Sequence, residues 1–246
     1  MVQELKRGFL MMVVMTVLTG LIYPIVITGL SQALFRDHAN GSLVTRDGQV
    51  VGSRLIGQNF AKPEYFHPRP SAAGSNGYDP TATGGTNLGP TSAKLLNGTT
   101  KIDEKKNEVV DFDGIRDRIV HFCLDNGIPF DSSRPLDTFR DAQGNLDDVK
   151  LIKALNDDKT PLLFTARTPI PADAVTASAS GVDPHISPRN AELQAARVAK
   201  ARGVSVEQVQ TFIRQHTEAR TLGILGEPHV NVLELNLALD DQLHRK

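Results

Sequence analysis

The sequence has few of the residues that form cross-links or large aromatic clusters. Among 246 residues there is one cysteine, there is no tryptophan, and aromatic residues make up 5%. A single cysteine, Cys123, excludes a disulfide within the chain, which fits the cytosol or an exported domain large enough to fold without one. The 27 basic and 28 acidic residues give a formal net charge of −1. Because there is no basic excess, the composition gives no electrostatic reason to expect nucleic-acid binding.

Familiar catalytic and cofactor motifs are also missing. The chain has no G-x-S-x-G turn for a nucleophilic serine. Its glycine-rich stretch TGGTNLGPT lacks the G-K-[ST] ending of a phosphate-binding loop. No H-x-H or H-x-x-x-H spacing suggests a metal site. The histidines are His38, His67, His121, His185, His216, His229 and His244. We therefore expect no catalytic residue and no metal centre.

The sequence does contain one long apolar run, residues 9–35, without a formal charge. At 1.5 Å per residue it would form a helix of roughly 40 Å, enough to cross a hydrocarbon core of about 30 Å. Lys6 and Arg7 precede it, so the positive-inside rule predicts cytoplasmic residues 1–8 and an outer-face domain over residues 40–246. Pro24 predicts a kink in the membrane helix, because proline removes one helical hydrogen bond.

A cleaved signal peptide is the alternative to a retained transmembrane helix. Ser31-Gln32-Ala33 has the small-x-small pattern of a cleavage site. Cleavage after Ala33 would release a secreted binding protein. The apolar run is much longer than the roughly 7–15 residues of a signal core, which favours retention.

Turn residues punctuate the chain beyond the apolar run. Asp47-Gly48 between two short β-rich stretches predicts a hairpin with a type I′ turn. Residues 61–91 are rich in glycine, proline and serine but interleaved with aromatic side chains, which predicts an ordered irregular loop rather than a flexible linker. A short helix is expected to begin at Thr91 or Ser92.

Residues 102–160 form a separate compositional block, interpreted as a helical insertion or subdomain. Its first predicted helix has apolar positions at Ile115, Ile119, Phe122 and Cys123. The remaining faces are assigned to Arg116, Asp117 and Arg118. Cys123 is interpreted as a small buried hydrophobe, because no neighbouring feature would lower its pKa. The stretch LDDVKLIKALNDD predicts a second amphipathic helix.

The last third of the chain carries clear helix boundaries. Ser187-Pro188 predicts a helix start and Gly203 its end. Ser205 opens a capping box and a second helix. Alternating leucines in VNVLELNLALD, residues 230–240, predict a half-buried strand. Together these elements indicate an α/β (or α+β) outer domain tethered by one N-terminal transmembrane helix.

A cluster of hydroxyl, carboxylate and imidazole side chains precedes the Ser187 helix start. Ser178, Ser180, Asp183 and His185 are residue types that a hydrolase uses. Glycine and proline within this stretch predict an irregular loop, and Asp183 before a proline is ordinary turn chemistry. A loop that closes onto a helix start is favoured. The alternative is a membrane-anchored outer-face serine hydrolase that uses Ser178 or Ser180 with His185.

Four stretches of the sequence resemble the C subunit of the Kdp-type potassium-transporting ATPase. They are GSRLIGQNF (52–60), YFHPRPSAAG with YDPTATGGTNLGP (65–90), PADAVTASASGVDPHISPRNAELQAARVAKARG (171–203) and GEPHVNVLELNLALD (226–240). The single N-terminal apolar span is also in the right place, and with it the four stretches cover about half of the chain, in the order of the family. Two features depart from it: the block 102–160 is longer than the usual connection, and SASGV stands where a second glycine and a leucine are more common.

The resemblance implies a non-catalytic accessory subunit of an ATP-driven potassium import complex in the bacterial inner (plasma) membrane. The implied partners are a potassium-translocating subunit, a P-type ATPase catalytic subunit and a small single-span subunit, besides membrane lipid. The family is also described as a catalytic chaperone that raises the ATP affinity of the catalytic subunit. ATP is cytoplasmic whereas the charge bias predicts an outer-face domain, so the assembly role is favoured.

The resemblance also implies candidate residues. No tightly bound cofactor is implied, and ATP would be reached through the complex, with Gln194 as the matching nucleotide-contact candidate. The candidates for partner contact or motif structure are Arg69, Pro70, Ser71, Asn87, Gly89, Pro90, Ser178, Asp183, His185, Ser187, Gly226 and Pro228.

Overall fold

The computed structural model describes residues 1–243, so His244 lies outside the described residues. The chain divides into two compact units, Met1–Leu55 and Ile56–Lys246.

The N-terminal unit begins with one helix, Val2–Leu34, which by length and composition could cross a membrane. It consists of α1 (Val2–Val17), a π-helical turn (Leu18–Ile22) and α2 (Tyr23–Leu34), and none of its residues is buried. The π turn lies directly before Pro24, whose missing N–H interrupts the α-helical ladder. The irregularity expected at Pro24 therefore takes the form of a widened turn.

A short helix and a hairpin complete the N-terminal unit. They are α3 (Arg36–Ala39), β1 (Leu43–Arg46) and β2 (Gln49–Ser53). The strands pair antiparallel, with Asp47 at φ 52° and Gly48 at φ 76° in the turn. Two positive φ values confirm the predicted type I′ turn, which matches the twist of the strands.

The second unit mixes helices with short antiparallel strands. Its helices are α4 (Ala93–Asn97), α5 (Ile115–Asn126), α6 (Asp148–Leu155), α7 (Pro188–Arg202), α8 (Val206–Gln215) and α9 (Val232–Gln242). Its strands are β3 (Thr99–Ile102), β4 (Glu108–Phe112), β5 (Phe130–Ser132), β6 (Phe164–Ala166), β7 (His185–Ile186), β8 (Thr217–Glu218) and β9 (His229–Asn231). They form the pairs β3–β4 and β5–β6 and a sheet of order β7-β9-β8. This arrangement confirms the mixed fold class.

The predicted helix boundaries are confirmed by their caps. The hydroxyls of Ser92, Ser187 and Ser205 each accept a hydrogen bond from a backbone N–H in the first turn of the following helix. Ser205 and Gln208 complete the reciprocal capping box. Gly203 ends α7 at φ 67°, the left-handed conformation that glycine adopts without a steric penalty.

The prediction of a strand over residues 230–240 is wrong. Strand β9 ends at Asn231, whose side chain accepts a hydrogen bond from the Glu234 N–H and so caps α9. Leu235 and Leu239 are fully buried at a spacing of four. The leucines satisfy a period of 2 and of 3.6 equally, and the cap followed by a glutamate three positions later favours the helix.

Two hydrophobic clusters lie within the second unit. The larger joins Phe66 and Ile186 to apolar side chains of α7, α8 and α9. The smaller lies in the block 102–160 and its C-terminal edge, and comprises Val120, Phe139, Leu151, Ala154, Leu155 and Leu162. Separate apolar clusters let the block bury its own helices without entering the larger core.

Candidate functional site

Residues 63–67 run along α7 and α9 and are held by side chains rather than by a neighbouring strand. Gln194 on α7 accepts a hydrogen bond from the His67 N–H at 2.7 Å and donates one to the His67 carbonyl at 3.0 Å. Asn236 on α9 makes the same two bonds to Phe66, at 2.8 and 3.0 Å. Both amides are 1% exposed. Each amide therefore supplies the pair of hydrogen bonds that a β-strand would give.

Two arginines of α7 bind the same segment. Arg197 Nη1 donates to the Tyr65 carbonyl at 2.9 Å, and Arg202 Nε donates to the Glu64 carbonyl at 2.8 Å. Arg202 also bonds to Asp240 of α9 at 2.8 Å, and the Tyr65 hydroxyl donates to the same carboxylate at 3.0 Å. Burial lowers the pKa of Arg197 to about 10, so the guanidinium stays charged at neutral pH. The segment 63–67 is thus fixed from both helices.

Gln194, the candidate nucleotide contact, uses its amide entirely inside this arrangement. Besides the two bonds to His67, it donates to Asn190 Oδ1 at 2.9 Å and accepts from Arg197 Nη2 at 2.7 Å. An amide has two donor hydrogens and one carbonyl oxygen, and all are engaged. A nucleotide would reach Gln194 only by replacing these bonds.

An ion pair joins the loop 61–91 to the loop before α7. Arg69 Nη1 lies 2.8 Å from Asp183 Oδ2, and both side chains are about three-quarters buried. Asp183 Oδ1 also accepts from the His185 N–H at 3.0 Å, and the His185 ring lies 3.6 Å away. Burial, the largest influence, opposes ionisation of Asp183. The contacts with His185 and the Arg69 guanidinium outweigh it, so the pKa lies below its ordinary value.

Hydroxyl groups complete the junction between the two loops. Ser71 Oγ donates to the Gly181 carbonyl at 2.6 Å and accepts from the Tyr78 N–H at 2.8 Å. The Tyr78 hydroxyl donates to the Arg69 carbonyl at 2.8 Å. Pro70, between these two bonded residues, is half-buried. Burial raises the pKa of Tyr78, so its hydroxyl remains a hydrogen-bond donor.

The junction requires a glycine at Gly181. Its φ is +71°, and a Cβ there would lie 2.6 Å from the Ala73 side chain and 2.7 Å from the Gly84 carbonyl oxygen. Gly84 in turn donates its N–H to the Ser180 carbonyl at 2.9 Å. Both the backbone conformation and the close approach of the second loop exclude a larger residue.

The serines of the hydrolase hypothesis bond to turn backbone. Ser178 Oγ accepts from the Gly181 N–H at 2.9 Å, and Ser180 Oγ accepts from the Val182 N–H at 3.2 Å. Ser178 is 8% exposed. Among the described residues, no hydrogen bond joins either serine to the His185 ring. The structure therefore does not assemble the nucleophile–base pair that this hypothesis requires.

Ser187 and His185 have structural contacts of their own. Ser187 Oγ caps α7 by accepting from the Asn190 N–H at 3.1 Å and donates to Asp173 Oδ1 at 2.9 Å. The Ser187 N–H donates to the other oxygen of Asp173 at 2.7 Å. His185 lies in β7, and its ring meets the His229 ring edge-on at 4.3 Å. Both side chains contribute to the start of α7 and to the small sheet.

The other candidates lie outside this junction, at the surface. Asn87, Gly89 and Pro90 are exposed, and Asn87 adopts a positive φ of 55°. Gly226 and Pro228 are exposed in the turn between β8 and β9. The motif residues therefore separate into a group that builds the fold and a group that faces solvent.

The turn between β8 and β9 also exposes large apolar side chains. Leu222, Ile224 and Leu225 are 84%, 74% and 56% exposed. Arg220 and Glu227 form an ion pair of 2.6 Å across the base of the turn. Three exposed aliphatic side chains in a closed turn are typical of a surface that another molecule covers.

The block 102–160 contains a cluster that sequence spacing did not reveal. Asp117, predicted on an exposed face of α5, is instead 3% exposed. It lies three residues before the buried Val120 and so shares its face. His121, one turn later, lies 3.9 Å from Asp117 and 2.8 Å from Asp148 on α6. The spacing D-x-x-x-H is the sequence signal for this pair, whereas H-x-H and H-x-x-x-H spacings, which involve histidines only, do not include it.

Burial and a hydrogen bond shift the pKa values of two residues in this cluster. Burial raises the pKa of Asp117 to about 6, against the opposing influence of His121. The hydrogen bond to Asp148 raises the pKa of His121. Cys123, on the same helix, is fully buried as predicted, and burial raises its pKa to about 11.

Comparisons with known proteins cover nearly the whole chain. The family model described as KdpC, K+-transporting ATPase, c chain, matches residues 5–115 and 143–241. A potassium-transporting ATPase KdpC subunit of Koribacter versatilis is 44% identical over 240 residues, covering 98% of this chain and 95% of the relative. The subunit of the same name from Mycobacterium tuberculosis is 42% identical over 238 residues, covering 97% and 98%. That from Gemmatimonas aurantiaca is 44% identical over 240 residues, covering 98% and 94%.

Replacing Gln194 by leucine should strongly destabilise the second unit. The change keeps the volume but leaves the His67 backbone groups without partners, and each unsatisfied buried group costs about 1–3 kcal/mol. We expect a loss of about 2–4 kcal/mol in the free energy of unfolding, measured with denaturant. Glu192→Leu, at an exposed position of the same helix, is the matched control and should change it little. Equal stability of the two variants would contradict the role assigned to Gln194.

The Arg69–Asp183 pair should contribute a pH-dependent part of the stability. Because the pKa of Asp183 is lowered by folding, its contribution is present above the unfolded value of about 4 and is lost as pH falls below it. Asp183→Asn should cost about 1–2 kcal/mol at pH 7, with a difference from the unaltered chain that shrinks below about pH 4. The control is Asp131→Asn, which removes an exposed ion pair with Arg167. A difference that stays constant from pH 7 to pH 3 would disprove the assignment.

Proposed function

The chain belongs to the KdpC family of K+-transporting ATPase c chains, and from this membership we propose that it is the accessory subunit that stabilises a potassium import complex in the membrane. The proposed partners are the potassium-translocating subunit, the P-type catalytic subunit and a small single-span subunit. The observation that carries the proposal is the division of the motif residues. Those in the junction make internal hydrogen bonds, while Gly226 and Pro228 are exposed beside an apolar turn.

The helix Val2–Leu34 supports a retained membrane anchor. It is about 50 Å long at 1.5 Å per residue, and residues 9–35 carry no charge. None of its side chains is buried by the rest of the chain. The helix continues through Ala33, the alternative cleavage site, and ends at Leu34. Lipid and partner helices are the surroundings in which such a surface is stable.

The turn between β8 and β9 supports a contact of the second unit with another subunit. Leu222 and Ile224 expose most of their surface, and burying such a side chain gains about 1.5–3 kcal/mol. Gly226 and Pro228, which belong to a matching motif, lie beside them. We propose that this turn docks on the outer face of the potassium-translocating subunit.

The catalytic-chaperone role implied by the resemblance has weaker support. Its residue, Gln194, is occupied inside the fold. The positive-inside rule also predicts that the second unit lies on the outer side of the membrane, whereas ATP is on the cytoplasmic side. We therefore assign the assembly role first.

Extraction of the native membrane in lipid particles should recover the chain together with three partners. Affinity purification through this chain, followed by mass spectrometry, gives the composition, and the intact mass shows whether residues 1–33 are retained. Recovery as a lone chain would refute the assembly role. An intact mass that corresponds to a chain without residues 1–33 would instead support the secreted binding protein.

Removing the apolar side chains of the turn should weaken the complex without unfolding the chain. In Leu222→Ser with Ile224→Ser, the lost burial is expected to lower co-purification of the partners at least tenfold, since about 1.4 kcal/mol corresponds to a factor of ten. The matched control is Ile102→Ser, because the Ile102 side chain is also apolar and 65% exposed but lies in the block 102–160. Unchanged partner recovery with the double variant would exclude this turn as the contact.

A further inference from the structure

Asp117, His121 and Asp148 bring three metal-ligand atoms into one cluster. Asp117 and His121 lie one turn apart on the same face of α5, and Asp148 is the first residue of α6. Their ligand atoms all lie within 4.8 Å of one another. The cluster lines a cleft of ≈ 640 Å³ between the block 102–160 and residues 59–78. The cleft gives an ion and its water molecules a route to the cluster.

The Asp117 carboxylate provides independent evidence for a ligand. Its Oδ1 atom is buried and has no hydrogen-bond partner, although the residue is 3% exposed. A buried carboxylate oxygen without a partner is costly, and buried charges in proteins are normally paired or bound to a metal. The His121–Asp148 pair alone leaves this oxygen unsatisfied, at 3.9 Å from the imidazole. Something else is needed to complete the cluster.

The neighbouring cation does not fill this role. Arg118 follows Asp117 directly, but its guanidinium bonds to Asp113 at 2.8 and 2.9 Å. Its remaining Nη1 donates to the Val175 carbonyl at 3.3 Å. The charge of Arg118 is therefore directed away from the Asp117 oxygen.

We propose that Asp117, His121 and Asp148 bind a divalent transition-metal ion of the Zn²⁺ type. One imidazole nitrogen and two carboxylate oxygens are ligands that Zn²⁺ takes, and two carboxylates neutralise its charge. Ligands about 2.0–2.1 Å from a tetrahedral ion lie roughly 3.3 Å apart. The His121 nitrogen lies 2.8 and 3.9 Å from the two carboxylates, and all three ligand atoms lie within 4.8 Å of one another, so side-chain movements can bring them to this spacing. Water from the cleft would occupy the fourth position.

The ion would join two helices of the smaller hydrophobic cluster. α5 carries Asp117 and His121, α6 carries Asp148, and both helices contribute apolar side chains to that cluster. Asp117 and His121 lie in residues 116–142, outside the two ranges that match the family model. Asp148 lies inside the second matched range, at its N-terminal edge. The expected effect of the ion is to stabilise the block, and this effect is independent of the assembly role.

The test uses the full chain, purified in lipid particles and stripped with a chelator. Zn²⁺ titration should give one ion bound per chain and raise the thermal unfolding midpoint, with Mg²⁺ and K⁺ as ions that should not substitute. His121→Gln and Asp148→Asn should each weaken Zn²⁺ binding more than about 100-fold, since even outer partners of metal ligands contribute 10- to 100-fold. Both positions are partly exposed, so these variants are expected to fold.

Asp125→Asn is the matched control, because Asp125 lines the same cleft on the same helix but is not in the cluster. It should bind Zn²⁺ as the unaltered chain does. The proposal is overturned if the unaltered chain takes up no stoichiometric Zn²⁺, or if His121→Gln and Asp148→Asn bind it as tightly as Asp125→Asn. Neither result depends on co-purification of partner subunits, so failure here leaves the assembly role intact.

Discussion

The pairing of two buried amides with consecutive backbone residues is the interaction on which the second unit depends. Gln194 and Asn236 bind His67 and Phe66 from α7 and α9, in place of a β-strand. Residues 56–91 contain no helix or named strand of their own, so their position depends on such side-chain bonds. Once His67 is fixed, Arg69 and Ser71 follow within four residues and meet the loop before α7. Replacing either buried amide is expected to destabilise the fold, because it leaves backbone N–H and C=O groups buried without a hydrogen-bond partner.

This arrangement explains why Ser178, Ser180 and Asp183 do not form a nucleophile–base pair with His185 in the described structure. The hydroxyls of Ser178 and Ser180 and the carboxylate of Asp183 satisfy backbone and arginine donors within a glycine-dependent turn. Irregular loops lack the repeated bonds of helices and sheets, and polar side chains replace them. The aliphatic side chains between β8 and β9 are instead exposed, which is why they are proposed as the contact with a partner.

The block 102–160 is held by its own apolar core rather than by side-chain bonds to an irregular loop. It buries its helices in the smaller hydrophobic cluster, and Asp117, His121 and Asp148 lie on the same two helices. An unpartnered buried carboxylate is destabilising by itself, so its presence points to a requirement other than packing. The block and the amide-held loop face the same cleft, although the loop belongs to a matching motif and most of α5 lies outside the matched ranges.

The sequence by itself determined the apolar helix, the Asp47-Gly48 turn, and the starts of α4, α7 and α8, because caps, turns and long apolar runs depend on neighbouring residues. The similarity of four motifs was enough to identify the family. Tertiary structure decided the rest. Leucines over residues 230–240 fit two periods; the Asn231 cap is a local signal for the helix, and packing against α8 selected it. Burial of Asp117 and Gln194 likewise depends on residues that are distant in sequence. These residues come into contact only when the helices and loops pack together.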